Sequence, residues 1–305
     1  MKPRNAIMLL TAALIWGIAF VAQSVGMDYM GPFTFNGLRS LIGGVVLLPC
    51  IAIFGGREKS NTNDTDQASG TTRDLVTGGL LCGVILFLAT SLQQIGIQYT
   101  SVGKCGFITA FYIVMVPVFG IFLGKKTGWR VWLAVLIALA GLYFLCITEK
   151  FTIGRGDTLV FLCAILFALH ILVIDHFSPK VDGVKLSCIQ FFTCGVLSLP
   201  FMFLTETPTW GAVFDGIVPL LYAGVLSCGV AYTLQIVGQK NMNPAIASLL
   251  LSLESCFSVL GGWLLLGQQL SGREALGCVL MFAAIILAQL PVRSRKEIAG
   301  DGQAS

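Results

Sequence analysis

The chain has 305 residues, of which 56% are hydrophobic and only 11% carry a charge. A soluble domain has about 25% charged residues, so this composition excludes a soluble enzyme and a nucleic-acid-binding protein, and the net charge of +4 is too small for a surface that binds polyanions. It indicates a protein that crosses the lipid bilayer several times, because each crossing helix needs about 20 apolar residues.

Ten apolar stretches follow one another along the chain. They are 5–24, 33–54, 75–97, 102–124, 129–148, 158–177, 185–204, 217–237, 244–267 and 273–291. Backbone groups in lipid must be hydrogen-bonded within the protein, so we interpret each stretch as a transmembrane α-helix. None shows the alternation of β-barrel strands. The predicted fold class is therefore an all-α membrane protein with ten transmembrane helices.

Lysine and arginine are distributed unequally over the two sides of this predicted bundle. With the N-terminus placed in the cytoplasm, 14 of the 19 lie on the cytoplasmic side, four lie outside, and Arg39 lies within the second helix. The positive-inside rule therefore predicts that both termini are cytoplasmic. The polar segment 55–74 is predicted to be a cytoplasmic loop, and 292–305 a cytoplasmic tail.

The two halves of the chain resemble each other. Four matches occur in the same order: 10–16 with 162–168, 39–49 with 190–200, Gln94-Ile95 with Gln235-Ile236, and Arg130 with Arg273. We interpret them as a duplicated five-helix unit, with repeats at 1–148 and 149–291. Because five is odd, the second unit enters the membrane from the opposite side, as in many secondary transporters. The binding site is then expected near the midplane, between the repeats.

Glu254 is a charged residue that lies deep in a predicted helix. It lies about ten residues, or ~15 Å, into the ninth helix, near the midplane. A carboxylate there is costly and usually faces a cavity or a partner. One alternative is a functional carboxyl group that contacts a substrate ammonium or couples transport to protons. The other is a structural carboxyl group that is hydrogen-bonded between helices. The repeat places Tyr112 near Glu254 across the pseudo-twofold axis, either in the cavity or as a packing residue.

Two further polar side chains lie within predicted helices. Arg39 lies in the second helix, about 9 Å from the outer face. Arg39 is interpreted either as a group that binds a substrate carboxylate or as a structural residue. The structural role is favoured because the repeat counterpart, Gln190, is neutral. His170 in the sixth helix is interpreted first as a hydrogen-bonded polar residue and second as a substrate contact.

Two glutamine pairs stand one helical turn apart. Gln94 with Gln98, and Gln235 with Gln239, share a helix face near the ends of their helices. They are interpreted either as symmetry-related residues at the cavity mouths or as interhelical hydrogen bonds. Helix flexing during a transport cycle is predicted at Gly17, Pro49, Pro117 and Pro200.

Motifs for nucleotide, metal or covalent chemistry are absent from the sequence. There is no G-x-x-x-x-G-K-[ST] and no H-E-x-x-H, so we expect no ATP hydrolysis, no metal site and no cofactor. Polar residues are spread singly over several helices. This distribution favours a binding cavity over a catalytic cluster.

Several motifs together resemble one family. Residues 13–21 (ALIWGIAFV), Leu38-Arg39 with Gly43, residues 243–245 (NPA) and Leu253-Glu254 resemble the signatures of EamA-type members of the drug/metabolite transporter superfamily. The resemblance implies a ten-helix basket around a central cavity that is lined mainly by helices one, three, four, six, eight and nine. Trp16, in the opening signature, thereby becomes a cavity candidate. It also implies export or exchange of small polar metabolites without ATP, most often in a bacterial inner membrane.

The function expected from these features is secondary transport of small polar metabolites, such as amino acids, by alternating access. The expected partners are the substrate, the lipid bilayer and protons as a coupling ion, with a monomer or homodimer as the assembly. The alternative function is a membrane-embedded enzyme that acts on lipid-linked substrates. An enzyme should show a tight polar cluster at one interface, whereas a transporter should show polar residues at both mouths and in the middle.

Overall fold

The structure of this protein is a computed structural model that describes residues 3–54, 70–100, 102–146, 154–266 and 271–289. Within these ranges the chain is helical, with a π-helix at Tyr222–Ala231 and a 3-10 helix at Ile97–Tyr99, and contains no β-strand, so the predicted all-helical class is confirmed. The predicted tail 292–305 and the predicted loop up to residue 69 lie outside the described residues. The helices are α1 (Pro3–Gly26), α2 (Pro32–Phe54), α3 (Thr72–Gly96), α4 (Val102–Thr109), α5 (Tyr112–Phe122), α6 (Trp129–Cys146), α7 (Arg155–Phe177), α8 (Gly183–Thr205), α9 (Trp210–Asp215), α10 (Ile217–Leu221), α11 (Tyr232–Gln239), α12 (Pro244–Leu251), α13 (Glu254–Leu266) and α14 (Gly272–Gln289).

Seven helical stretches in the described part of the chain are long and apolar enough to cross a membrane. They are Pro3–Gly26, Pro32–Ala52, Thr72–Tyr99, Lys104–Phe122, Arg155–Phe177, Gly183–Thr205 and Ile217–Gln239. Two shorter apolar helices, Trp129–Phe144 and Pro244–Leu260, coincide with the predicted fifth and ninth spans. Helix α14 falls on the predicted tenth span.

The outer surface of the helix bundle is apolar. Phe122, Leu204 and Trp210 are 83%, 82% and 79% exposed. Exposed apolar surface of this kind marks a contact with another molecule or with a membrane. Since the helices also have the length and hydropathy of membrane spans, we assign this surface to the lipid bilayer, and the chain is a multi-pass membrane protein.

Helix α3 begins three residues before the predicted span, within the segment 55–74 that the sequence indicates as a loop. The reason is a capping box between Thr71 and Asp74. The Asp74 backbone N–H donates to Thr71 Oγ1 at 3.2 Å, and the Thr71 backbone N–H donates to Asp74 Oδ2 at 2.8 Å. These bonds satisfy free N–H groups at the helix start, so the helix extends beyond its apolar part.

The two ends of the bundle are joined by contacts between distant parts of the chain. At the end where α1 begins, here called the Pro3 end, Asn5 Nδ2 donates to the Lys240 carbonyl at 3.1 Å. At the opposite end, the Gly26 end, the Glu206 carboxylate accepts bonds of 2.8 Å from the backbone N–H groups of Phe33 and Thr34. A residue just after α8 thus caps the N-terminus of α2, where a negative charge is favoured.

Two helical stretches are interrupted at related positions. Helices α4 and α5 are separated by two residues, 110–111, and α12 and α13 by 252–253. The backbone tightens to i to i−3 bonds at both places, from Ile113 N–H to the Ala110 carbonyl (3.0 Å) and from Ser255 N–H to the Ser252 carbonyl (3.2 Å). Such a turn within a helix often marks a hinge. The second half-helices begin at Tyr112 and Glu254.

Helix α1 crosses α13 at a glycine. A Cβ atom on Gly17 would lie 2.6 Å from Phe257 Cβ and 2.7 Å from the Glu254 carbonyl oxygen. The crossing therefore requires glycine, and it brings Trp16 to the level of Glu254. The prediction that Gly17 supports helix flexing stays a prediction.

The three proline positions lie inside helices. Pro49 is in α2, Pro117 in α5 and Pro200 in α8, and each helix continues on both sides of its proline. Their predicted part in helix flexing is not decided by a single conformation.

Candidate functional site

A small cavity of about 40 Å³ lies in the middle of the bundle. Its polar lining consists of Gln23, Arg39, Gln93, Thr109, Tyr112, His170, Ser227, Tyr232, Gln235 and Glu254. Its other lining residues are aromatic or aliphatic, namely Trp16, Phe20, Phe167, Ile171 and Leu251. The lining comes from the predicted spans one, three, four, six, eight and nine, which the family resemblance implies, and from the second span through Arg39.

Glu254 and Tyr112 meet in this cavity. Tyr112 Oη donates to Glu254 Oε1 at 3.1 Å, and the two residues are 4% and 5% exposed. Each begins the second half of an interrupted stretch, so the interruptions bring both to the middle of the membrane span. Glu254 lies in the first turn of α13, where the helix dipole favours a negative charge. The carboxyl group is thus placed to exchange a proton or to contact a cation.

Arg39 lines the same cavity and also ties α2 to its neighbours. Its Nε and Nη2 donate to Asn36 Oδ1 at 3.2 and 3.1 Å, and Asn36 Nδ2 is 3.5 Å from the hydroxyls of Ser91 on α3 and Ser198 on α8. Arg39 is 4% exposed. No carboxylate forms an ion pair with it in the described ranges. The guanidinium therefore has structural contacts with Asn36 and with the Phe35 ring, whose centroid is 5.5 Å away, and it also lines the cavity.

His170 is hydrogen-bonded within the protein as well as part of the cavity lining. Its Nε2 lies 3.0 Å from Gln190 Oε1. Gln190 is the residue that the predicted repeat aligns with Arg39. Trp16 packs edge-to-face on Tyr232, with ring centroids 4.6 Å apart. The aromatic pair forms a wall beside Glu254.

Three of the four paired glutamines lie outside the cavity lining. Gln94 Nε2 donates to the Gln23 carbonyl at 3.1 Å, and Gln239 Nε2 donates to the Ile171 carbonyl at 2.6 Å. These are interhelical bonds from α3 to α1 and from α11 to α7. Gln98 is exposed and donates to Met27 Sδ at 3.3 Å. Their predicted place at the cavity mouths stays a prediction.

Several lining residues were not found by sequence reasoning. Gln93 Nε2 donates to Thr109 Oγ1 at 3.1 Å, next to the cavity. Gln93 directly precedes Gln94, and only the one-turn spacing of Gln94 with Gln98 drew attention to that helix. Tyr232 stands one turn before Gln235 on α11, and this spacing is the signal that would have found it.

Two ion pairs join α7 to the α4–α5 stretch, one at each end of the bundle. Lys104 Nζ lies 2.6 Å from Asp157 Oδ2 at the Gly26 end, and Lys125 Nζ lies 2.6 Å from Asp175 Oδ2 at the Pro3 end. The two aspartates are 18 residues apart on one helix, or ~27 Å by helical rise. Asp157 also accepts a bond of 2.7 Å from Thr100 Oγ1. The same pair of helical stretches is thus held together on both sides of the cavity.

Comparison with known proteins gives a consistent result. The model of the EamA-like transporter family matches residues 4–147 and again 154–290. The chain is 30% identical over 285 residues to an "Uncharacterized transporter" of Archaeoglobus fulgidus, covering 93% of this chain and 85% of that protein. It is 24% identical to "Uncharacterized transporter YoaV" of Bacillus subtilis (94% and 97% covered) and 22% identical to "Uncharacterized inner membrane transporter YedA" of Escherichia coli (91% and 88%). A crystal structure with 18% identity has the same fold, with a TM-score of 0.79 over 96% of this chain and 98% of the other.

Proposed function

The chain belongs to the EamA-like transporter family, and from this premise we propose that it is a secondary transporter of small zwitterionic metabolites, amino acids among them. The family resemblance predicted from the sequence is confirmed. The observation that carries the proposal is that one buried cavity holds both a carboxyl group, Glu254, and a guanidinium, Arg39. A cavity with one group of each sign is complementary to a solute with one charge of each sign.

The energetics of burial support a zwitterionic substrate. A charge inside a membrane protein is costly unless it is paired. Arginine binds carboxylates through paired N–H donors, and the ammonium of the same substrate would face Glu254. A neutral solute would leave both the carboxyl group and the guanidinium unpaired, and a singly charged solute would leave one of the two unpaired. The aromatic wall of Trp16 and Tyr232 adds apolar contact for the rest of the molecule.

Protons are the proposed coupling ion. Glu254 holds a proton when no substrate is bound, because an unpaired charge buried in the cavity is costly, and the bond from Tyr112 Oη keeps the carboxyl group in place. Arrival of a substrate ammonium displaces this proton, because the carboxylate is then paired. Exchange of one proton for one substrate would drive export or accumulation without nucleotide hydrolysis.

Alternating access is proposed from the repeated architecture. Tyr112 and Glu254 are 142 residues apart and begin equivalent half-helices, which agrees with the offsets of 141 and 143 between the Gln94 and Arg130 matches and their counterparts. This agreement supports two inverted five-helix repeats and ten spans. The lysine and arginine distribution supports cytoplasmic termini, which places the Pro3 end at the cytoplasmic face.

Labelling of single cysteines tests this topology. In a cysteine-free background, we expect Ser60→Cys to react with a membrane-impermeant maleimide only from the cytoplasmic side and Thr207→Cys only from the outer side. Right-side-out and inside-out vesicles supply the two sides. Reaction of both cysteines from the same side would contradict the inverted arrangement.

The two ion pairs are proposed as the closures of the two cavity mouths. The Pro3-end pair is the weaker one, because the Lys125 side chain is 45% exposed, whereas the Lys104 side chain is 21% exposed and Asp157 has further hydrogen bonds. Bending at 110–111 would let α5 leave α7 at one end while α4 stays closed at the other.

Asp175→Asn is therefore expected to open the Pro3 end more often. The measurement is the rate at which an impermeant thiol reagent modifies Ser227→Cys in the cavity, applied from the cytoplasmic side. A pair of this exposure contributes up to about 1 kcal/mol, so we expect a rise of about twofold to fivefold. Asp157→Asn is the matched control and should raise the rate from the outer side. If the modification rate of Ser227→Cys is the same without a further change, with Asp175→Asn and with Asp157→Asn, the two-closure arrangement is disproved.

Counterflow in proteoliposomes tests the proposed function itself. Purified protein is reconstituted, loaded with a high concentration of one unlabelled amino acid, and supplied outside with a trace of the same labelled compound. We expect transient accumulation for at least one zwitterion of a library and none in protein-free vesicles. Absence of counterflow for every member would overturn the proposal. The enzyme alternative has no specific support, because the polar groups of the described helices lie in the middle of the bundle and at both of its ends.

A further inference from the structure

Gln235 is buried in the cavity wall with its acceptor unused. The residue is 2% exposed, and its side-chain carbonyl oxygen has no hydrogen-bond partner in the described part of the protein. Gln94, its repeat counterpart, is equally buried and its side-chain carbonyl oxygen also lacks a partner, but its amide nitrogen donates to the Gln23 carbonyl. The two positions match in sequence, and only Gln235 lines the cavity.

The position of Gln235 separates it from the two charged groups. It lies one turn beyond Tyr232 toward the Pro3 end, since Gly238 on the next turn packs against Met8 of α1. Arg39 lies in the part of α2 near the Gly26 end, and Glu254 lies between them at the level of Trp16. A zwitterion held by Arg39 and Glu254 would therefore have Gln235 on the Pro3 side of its two charged groups.

Apolar side chains form part of the cavity wall. Phe167 and Ile171 of α7 and Leu251 of α12 line it. His170 is engaged with Gln190 at 3.0 Å. Among the described residues, two other buried atoms of the cavity lining lack a partner, Trp16 Nε1 and Gln23 Oε1, and both belong to α1. The carbonyl oxygen of Gln235 is thus the unpartnered acceptor that α11 contributes to the cavity.

We propose that Gln235 is a specificity-determining residue, which selects substrates whose side chain ends in a hydrogen-bond donor such as a hydroxyl or an amide. This inference rests on the proposed function and names a substrate class within it. A site built to accept a hydrogen bond rejects the analogue that lacks the donor, because the buried acceptor then loses its bond to water and gains nothing.

Isosteric amino-acid pairs test the assignment in proteoliposome counterflow. The pairs are threonine with valine, tyrosine with phenylalanine, and glutamine with methionine, each as labelled substrate. For wild type we expect the donor-bearing member to have a counterflow rate at least about tenfold higher at equal low concentration in one or more pairs. Gln235→Met should reduce that ratio to about one by raising transport of the apolar member.

The matched control is Gln94→Met, which should keep the wild-type ratio. Thermal unfolding separates a structural role: Gln94→Met loses an interhelical bond and should unfold at a lower temperature, whereas Gln235→Met removes an unpartnered acceptor and should not. Equal transport of both members by wild type, or an unchanged preference in Gln235→Met, would overturn the inference and leave the proposed function standing. Failure of every amino acid in wild type would overturn both.

Discussion

Glu254→Gln is expected to abolish accumulation of substrate against its gradient under an imposed pH gradient, while exchange of substrate across the membrane continues. Glutamine keeps the size of the side chain and an oxygen for the bond from Tyr112 Oη, which is 3.1 Å long in the wild type. It cannot ionise, so no proton is exchanged for the substrate. For a one-to-one exchange, one pH unit drives at most about tenfold accumulation, and the variant should reach a ratio of about one.

The measurement is the steady-state ratio of labelled substrate inside and outside proteoliposomes, with and without a pH gradient. Tyr112→Phe is the matched control, because it removes the phenol hydroxyl but leaves the carboxyl group. This control should still accumulate substrate. If Glu254→Gln accumulates substrate as well as wild type does, Glu254 is a structural carboxyl and the coupling proposal fails.

Arg39→Gln is expected to remove the preference for a substrate carboxylate. Glutamine occupies the repeat-related position 190 within α8, so the replacement suits a buried helix position. Loss of a charged hydrogen bond costs about 1.5–3 kcal/mol, which corresponds to a rise in KM of about tenfold to 150-fold for the amino acid. The KM for the corresponding amine without a carboxylate should change little.

Asn36→Ala separates the binding of a substrate carboxylate by Arg39 from the structural role that the sequence favours for this residue. It removes the acceptor that ties the guanidinium to Ser91 and Ser198 but keeps the charge in the cavity. We expect Asn36→Ala to lower the unfolding temperature and keep the discrimination between amino acid and amine. If Arg39→Gln instead lowers the unfolding temperature while that discrimination persists, Arg39 is structural.

The internal repeat explains why part of the site was predictable from the sequence. An offset of about 142 residues placed Tyr112 beside Glu254, and the two side chains are hydrogen-bonded. The interruptions at 110–111 and 252–253 were not predictable, because no glycine or proline marks them and an apolar stretch keeps its hydropathy when one turn tightens. The sequence predicted continuous spans there.

The environments of repeat-related residues were beyond sequence reasoning. Gln94 and Gln235 occupy equivalent places, yet one bonds to a neighbouring backbone and the other faces the cavity. The environment of each glutamine depends on which helix packs against it, and that helix is distant along the chain. The same holds for Lys104, whose partner Asp157 lies 53 residues away.

The most direct measurement of the central claim is counterflow by the wild-type protein with matched triplets of solutes. Each triplet contains an amino acid, the amine that lacks its carboxylate, and the carboxylic acid that lacks its ammonium. A cavity that pairs Arg39 with a carboxylate and Glu254 with an ammonium should move the zwitterion and neither singly charged analogue at a comparable rate. Transport of an analogue as fast as the amino acid would contradict the account.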